Sequence, residues 1–188
     1  MKEKFNAMSR KGKIWLIVVI VLILGGLISA ITSSDETATE PVKEDAKTAK
    51  PSPKTTKLSR EQLEETHTNF LNANKALKEA SEVATDFTNG TMSKEETVEK
   101  LEDAKTSFLA EYSFIQDSLD AIDKPDEETK EFEKALNDWA DINTFVINNG
   151  LDVLNGEQDA DTDNYEQDIQ TRLYKLEDSA KKLGLDLN

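Results

Sequence analysis

The chain of 188 residues contains no cysteine. Disulfide bonds, thiolate catalysis, cysteine-based metal sites and the acylated cysteine of a lipoprotein are therefore excluded. Any part of the chain that folds must be held together by side-chain packing and hydrogen bonds alone.

Histidine is almost as scarce, because His67 is the only one in the chain. It follows Glu64 by three residues, and a Glu-x-x-His pair on a helix is the element from which carboxylate-bridged di-iron bundles are built. Such a centre needs two of these pairs, and the chain has no second histidine. It also lacks a G-x-S-x-G nucleophile elbow and a glycine-rich phosphate loop. We therefore expect a protein that is not an enzyme and has no cofactor.

Basic residues are scarce in the C-terminal two thirds of the chain. The whole chain has 38 acidic and 23 basic residues, a net charge of −15. Residues 1–34 hold five basic and one acidic side chain and residues 35–58 hold five of each, which leaves 13 basic and 32 acidic side chains, a net charge of −19, for residues 59–188. Such a surface repels phosphate backbones and argues against a nucleic-acid partner. It also attracts cationic partners and keeps an exported domain soluble.

One long segment has no charge. Residues 14–31, within the stretch KGKIWLIVVIVLILGGLISAITSSDE, form an apolar run of 18 residues, and a helix of that length spans about 27 Å, enough for the core of a bilayer. Basic residues before it and acidic residues after it predict that residues 1–13 form a short cytoplasmic tail and that the rest of the chain is extracytoplasmic. The alternative is a signal peptide cleaved after Ala30, which would release a secreted protein. The length of the run favours a retained transmembrane anchor.

Residues 32–58 contain three prolines, and Val42 is their only sizeable apolar residue before Leu58. Such a segment cannot bury enough apolar surface to offset the entropy of the chain. We therefore expect a disordered linker that tethers the following domain to the membrane.

Residues 59–188 contain four segments in which apolar residues recur at alternating steps of three and four, the period of an amphipathic helix. The first begins with a capping box at Ser59 and ends at Gly90. The second begins at Ser93 and stops before Pro125. No segment alternates with the period of two that is typical of a strand.

The third segment ends near residue 148, or near residue 154 if Gly150 is tolerated inside a helix, and the fourth ends at Gly184. Four amphipathic helices joined by short turns bury one stripe each when they stack antiparallel. We therefore predict an all-α fold, an antiparallel four-helix bundle. Extended helical hairpins are the alternative, because the first two helices are long.

The loop before the fourth helix has an acidic residue at every second position: Asp159, Asp161 and Asp163. In a calcium loop the side chains at positions 1, 3 and 5 converge on the ion in this way. The twelfth position would be Gln170, which cannot supply the bidentate carboxylate of such a loop. Two interpretations stay open: a weak calcium site, and acidic residues that cap the N-terminus of the fourth helix.

The end of the third segment has more apolar residues than one buried stripe requires. The surplus consists of Phe145, Ile147, Leu151 and Leu154. Either the helix breaks at residues 148–150 and its second piece repacks, or the four residues form an exposed apolar patch that binds a protein partner.

Together these features predict a membrane-anchored, extracytoplasmic helical protein that acts as a non-enzymatic interaction module at the cell envelope. Its expected partners are the membrane and another envelope protein, with a second copy of the chain as an alternative. The other candidate function is an extracytoplasmic binding protein for a small ligand or a divalent cation, held between the helices or at residues 159–163. That protein would be secreted if the apolar run is cleaved.

Overall fold

The computed structural model describes residues 56–157 and 165–187. The cytoplasmic tail, the apolar run of residues 14–31 and the linker up to residue 55 lie outside this part of the chain. The three acidic residues of the candidate calcium loop lie outside it as well: Asp159, Asp161 and Asp163.

The described residues form four α-helices and no strand, which confirms the predicted all-α class. The helices pack side by side as a bundle around one hydrophobic core. In chain order they are α1 (Arg60–Asn89), α2 (Lys94–Asp120), α3 (Glu127–Asn155) and α4 (Tyr165–Lys182).

Local sequence signals set the ends of the helices. The Ser59 hydroxyl accepts the backbone N–H of Gln62, and the Gln62 side chain accepts the N–H of Ser59, so the predicted capping box is complete. The Ser93 hydroxyl accepts a backbone N–H in the first turn of α2. Helix α1 ends at Gly90 in the left-handed conformation, with φ 72°, which glycine adopts without the steric cost that a Cβ would add.

Helix α3 continues through Gly150 and ends at Asn155. The alternative in which it breaks at residues 148–150 is therefore wrong. A glycine inside a helix costs about 1 kcal/mol relative to alanine. The burial of Ile147 and Leu151 on either side of Gly150 stabilises the continuous helix by more than that cost.

The core is centred on Trp139 of α3, which is fully buried. The centroid of its ring lies 5.1 Å from that of Phe70 on α1 and 5.3 Å from that of Phe108 on α2. Tilted and edge-to-face contacts of this kind contribute about 0.5–1.5 kcal/mol each beyond the area that they bury. One side chain therefore joins three of the four helices.

Polar contacts between helices show that paired helices run antiparallel. Gln62, near the start of α1, donates to the carbonyl of Ser118, near the end of α2, at 3.1 Å. Lys182, at the end of α4, pairs with Glu131, near the start of α3, at 2.8 Å. Helices α1 and α2 share the most extensive contact, which small side chains on both helices permit: Ala73, Ala76, Ala80, Ala84 and Ala104.

The core is closed at the end where α1 begins and where α2 and α4 end, which we call the base. Four buried side chains outside the helices belong to the core there: Leu58, Ile122, Leu185 and Leu187. Leu58 is the last residue of the segment that the sequence assigns to the linker. The folded unit therefore begins before α1.

Candidate functional site

The four apolar residues singled out near the end of α3 do not lie together. Ile147, Leu151 and Leu154 are buried in the core, with 3%, 7% and 4% of their surface exposed. Phe145 is 48% exposed. Helix α3 buries a broad arc because it contacts both α2 and α4. In the packed bundle, Phe145 is the one of the four that a partner can reach.

Phe145 contacts a second ring at the surface. It makes an edge-to-face contact with Tyr165 at the start of α4, with ring centroids 5.3 Å apart. Asp141 lies one turn before Phe145 and Asp152 lies two turns after it, so these carboxylates share its side of α3. Asp168 lies one turn after Tyr165 on α4 and pairs with Arg172 at 3.6 Å. The result is an aromatic pair flanked by carboxylates.

A polar network lies between α2 and α3. The Tyr112 hydroxyl and the Gln116 side-chain amide both donate to Oδ1 of Asn137, at 2.6 and 2.5 Å. Burial raises the pKa of the Tyr112 hydroxyl above its ordinary value, and the negative charges of three carboxylates also raise it: Asp141, Glu133 and Asp120.

Sequence reasoning missed this hydrogen-bond network. Tyr112 lies in the apolar stripe of α2, and nothing in the pattern of α3 marks Asn137 as a residue that faces a neighbouring helix. One signal was available, because the hydroxyl of a tyrosine within an apolar stripe needs a hydrogen-bond partner when it is buried.

His67 lies in a surface cleft of about 660 Å³ between the first turns of α1 and the C-terminal turn. Arg60 and Glu64 also line the cleft, and they form an ion pair at 3.0 Å. Within residues 56–157 and 165–187, no group of three or more histidine or acidic side chains is placed to hold a metal ion. The candidate calcium site at residues 159–163 lies outside the described residues and stays a prediction.

Four buried polar atoms have no hydrogen-bond partner among the described residues: Thr66 Oγ1, Asn74 Oδ1, Trp139 Nε1 and Asn143 Oδ1. Thr66 and Asn74 lie one turn on either side of Phe70, and Asn143 lies one turn after Trp139. All four atoms therefore flank the contact between Phe70 and Trp139. Buried polar groups in proteins are nearly always paired, often with an ordered water molecule, so these four atoms are exceptions to that rule.

No helix in the described part of the chain is both long enough and apolar enough to cross a membrane. No family model, curated protein or solved structure matches the chain.

The buried and exposed positions on α3 are expected to differ in their contribution to stability. Leu151→Ala removes a core side chain and should lower the free energy of unfolding by about 2–5 kcal/mol. Phe145→Ala removes a half-exposed ring and should lower it by about 1 kcal/mol or less. Denaturant unfolding followed by circular dichroism measures both variants. A larger loss in Phe145→Ala than in Leu151→Ala would contradict this assignment.

Two buried threonines provide a matched test of the unpaired atoms. Thr66→Val replaces an unpartnered hydroxyl by a methyl group and should leave the free energy of unfolding unchanged or raise it, because a buried unpaired oxygen costs about 1–3 kcal/mol. The control is Thr97→Val, since the Thr97 hydroxyl is equally buried but donates to the Ser93 carbonyl at 2.7 Å. This variant should lose about 1 kcal/mol. Equal losses in the two variants would show that the Thr66 hydroxyl has a partner in solution.

Proposed function

We propose that the chain is a membrane-anchored, extracytoplasmic helical protein that acts as a non-enzymatic interaction module at the cell envelope. The uncharged run of residues 14–31 and the basic residues before it support the anchor and its orientation. The described residues form a bundle with a packed core, which presents the defined surface that an interaction module requires.

The exposed contact between Phe145 and Tyr165 is the observation that carries the proposal. Asp141 and Asp152 lie on the same side of α3 as Phe145, so a basic partner is favoured at this surface. An arginine or lysine side chain can stack on an exposed aromatic ring and pair with a nearby carboxylate, such as that of Asp141 or Asp152. We infer that the partner is an envelope protein with a surface rich in lysine and arginine.

Whether the apolar run is retained or cleaved decides whether the bundle is anchored to the membrane. We expect full-length protein in the membrane fraction of cells that express the chain, because 18 uncharged residues are long enough to be retained in the bilayer. Intact mass spectrometry of fractionated cells measures this. A species that lacks residues 1–30 and is found in the medium would show cleavage after Ala30, and the anchored protein would then be rejected in favour of a secreted one.

Crosslinking from the surface of α3 tests the interaction. A photo-reactive amino acid in place of Phe145, in the full chain in cells, should yield one discrete crosslinked product. The matched control is the same replacement at Phe114 on α2, which is 56% exposed and should yield none. Mass spectrometry identifies the product.

An envelope protein with a basic surface would support the proposal. If the crosslinked product contains a second copy of the chain, the partner is the chain itself and the protein forms a homo-oligomer. Identical products from both positions, or none from either, would contradict the assignment of the surface.

The second candidate function is an extracytoplasmic binding protein for a small ligand. The four unpaired polar atoms beside Phe70 and Trp139 favour it, because they provide both a donor and acceptors in the interior of the bundle. The other form of this candidate function is a protein that binds a divalent cation at residues 159–163.

A further inference from the structure

The four helices of the bundle are not packed against one another equally. Helices α1 and α2, α3 and α4, and α2 and α3 each approach each other more extensively than α1 and α4 do. Polar contacts join the same three pairs. Asn72 of α1 donates to a carboxylate oxygen of Glu111 on α2 at 3.4 Å. Asn137 joins α3 to α2, and Arg172 joins α4 to α3. The side of the bundle between α1 and α4, which we call the α1–α4 side, therefore has the least packing.

Helix α1 presents a stripe of polar residues on this side. The stripe has a polar residue at every seventh position, which is close to two helical turns: Arg60, His67, Asn74 and Ser81. Arg60 and His67 line the cleft between α1 and the turn that follows α4, which places the stripe on the α1–α4 side. Asn74 and Ser81 are buried, with 8% and 4% of their surface exposed. Buried polar positions of this kind lower the stability of a contact between helices.

The four unpaired polar atoms are divided between the two helical hairpins of the bundle. Thr66 and Asn74 belong to the hairpin of α1 and α2. Trp139 and Asn143 belong to the hairpin of α3 and α4. The ring contact between Phe70 and Trp139, beside these atoms, joins the two hairpins. A buried polar atom without a partner costs free energy in the packed bundle, and exposure to water removes that cost. The hairpins therefore separate more readily than they would with a wholly apolar interior.

At the base, the residues just before α1 hold the two hairpins together. The carbonyl of Thr56 accepts the backbone N–H of Asp126 at 3.0 Å. Nζ of Lys57 lies 3.4 Å from a carboxylate oxygen of Asp126 and also pairs with Glu128. These contacts join the start of α1 to the start of α3. A separation of the hairpins is therefore widest at the opposite end of the bundle, where α1 ends and α4 begins.

We propose that the bundle has a minor open state, in which the α1–α4 side separates and both hairpins keep their helices. The hydrogen bonds to Asn137 hold α2 against α3 in this state, and the contacts of Thr56 and Lys57 hold the base. Opening moves Phe70 away from Trp139 and gives water access to the unpaired atoms beside them. The open state comprises a small fraction of the molecules, as openings of part of a protein do under native conditions. It provides a route from solvent to the interior of the bundle.

Thiol labelling detects the open state in the full chain, solubilised in a zwitterionic detergent. Because the chain has no cysteine, Ser81→Cys introduces a single buried thiol on the α1–α4 side. The matched control is Ser179→Cys, since Ser179 is also 4% exposed but lies between α3 and α4. Without urea, the thiol at position 81 should react about tenfold faster or more, because a partial opening exposes it more often than unfolding does. Its rate should also depend less on urea, because the opening exposes less surface.

The unpaired hydroxyl of Thr66 tests the cause of the opening. Thr66→Val combined with Ser81→Cys should slow the labelling at position 81 by about fivefold or more, because removal of an unpaired buried hydroxyl stabilises the packed bundle. The control is Thr97→Val, since the Thr97 hydroxyl bonds to a carbonyl at the start of its own helix and should do so in both states. It should leave the labelling rate unchanged. Circular dichroism checks the fold of each variant, and Asn74→Cys provides a second site on the same stripe if Ser81→Cys does not fold.

Equal labelling rates at positions 81 and 179 would overturn the proposal. A rate at position 81 that has the full urea dependence of global unfolding would overturn it as well, and so would equal effects of Thr66→Val and Thr97→Val on that rate. None of these measurements involves Phe145 or an envelope partner, so the result is independent of the proposed function.

Discussion

The burial of Trp139 is the interaction on which the rest of the bundle depends. The chain has no disulfide to fix its helices, and the rings of Phe70 and Phe108 hold Trp139 between α1 and α2. The position of α3 is set by these contacts. Helix α4 packs on α3 through its buried residues Ile169, Leu176 and Ala180, and a guanidinium nitrogen of Arg172 donates to the carbonyl of Asp138 at 2.8 Å. The surfaces that α3 presents to solvent therefore follow from the packing of Trp139 against α1 and α2 and from the packing of α4 on α3.

The ends of the helices could be predicted because each depends on a few neighbouring residues, as the Ser59 capping box and the left-handed Gly90 show. The burial of Leu151 could not be predicted in the same way. A rule that assigns one apolar stripe to a helix assumes one packed side, whereas α3 contacts both α2 and α4. The bond from Tyr112 to Asn137 joins residues 25 positions apart, so it depends on how the helices are placed and not on local pattern. The calcium prediction at residues 159–163 and the membrane anchor at residues 14–31 stay predictions of the sequence.

Two outward surfaces of α3 have different chemistry. On the side of α4, Phe145 and Tyr165 form an aromatic pair with carboxylates around it. On the side of α2, Asn137 accepts hydrogen bonds from Tyr112 and Gln116, and burial and nearby negative charges raise the pKa of the Tyr112 hydroxyl. Lys57, just before α1, pairs with Asp126 and Glu128 at the start of α3.

The fluorescence of Trp139 tests the central claim most directly. The chain has two tryptophans, so in Trp15→Phe all indole emission comes from Trp139. We predict blue-shifted emission that iodide does not quench, and a shift to longer wavelength in urea that coincides with the loss of helical circular dichroism, because the indole and the helices form one cooperative unit. Emission typical of an exposed indole in the native protein, or a fluorescence transition that precedes the loss of helix, would contradict a bundle organised around this side chain.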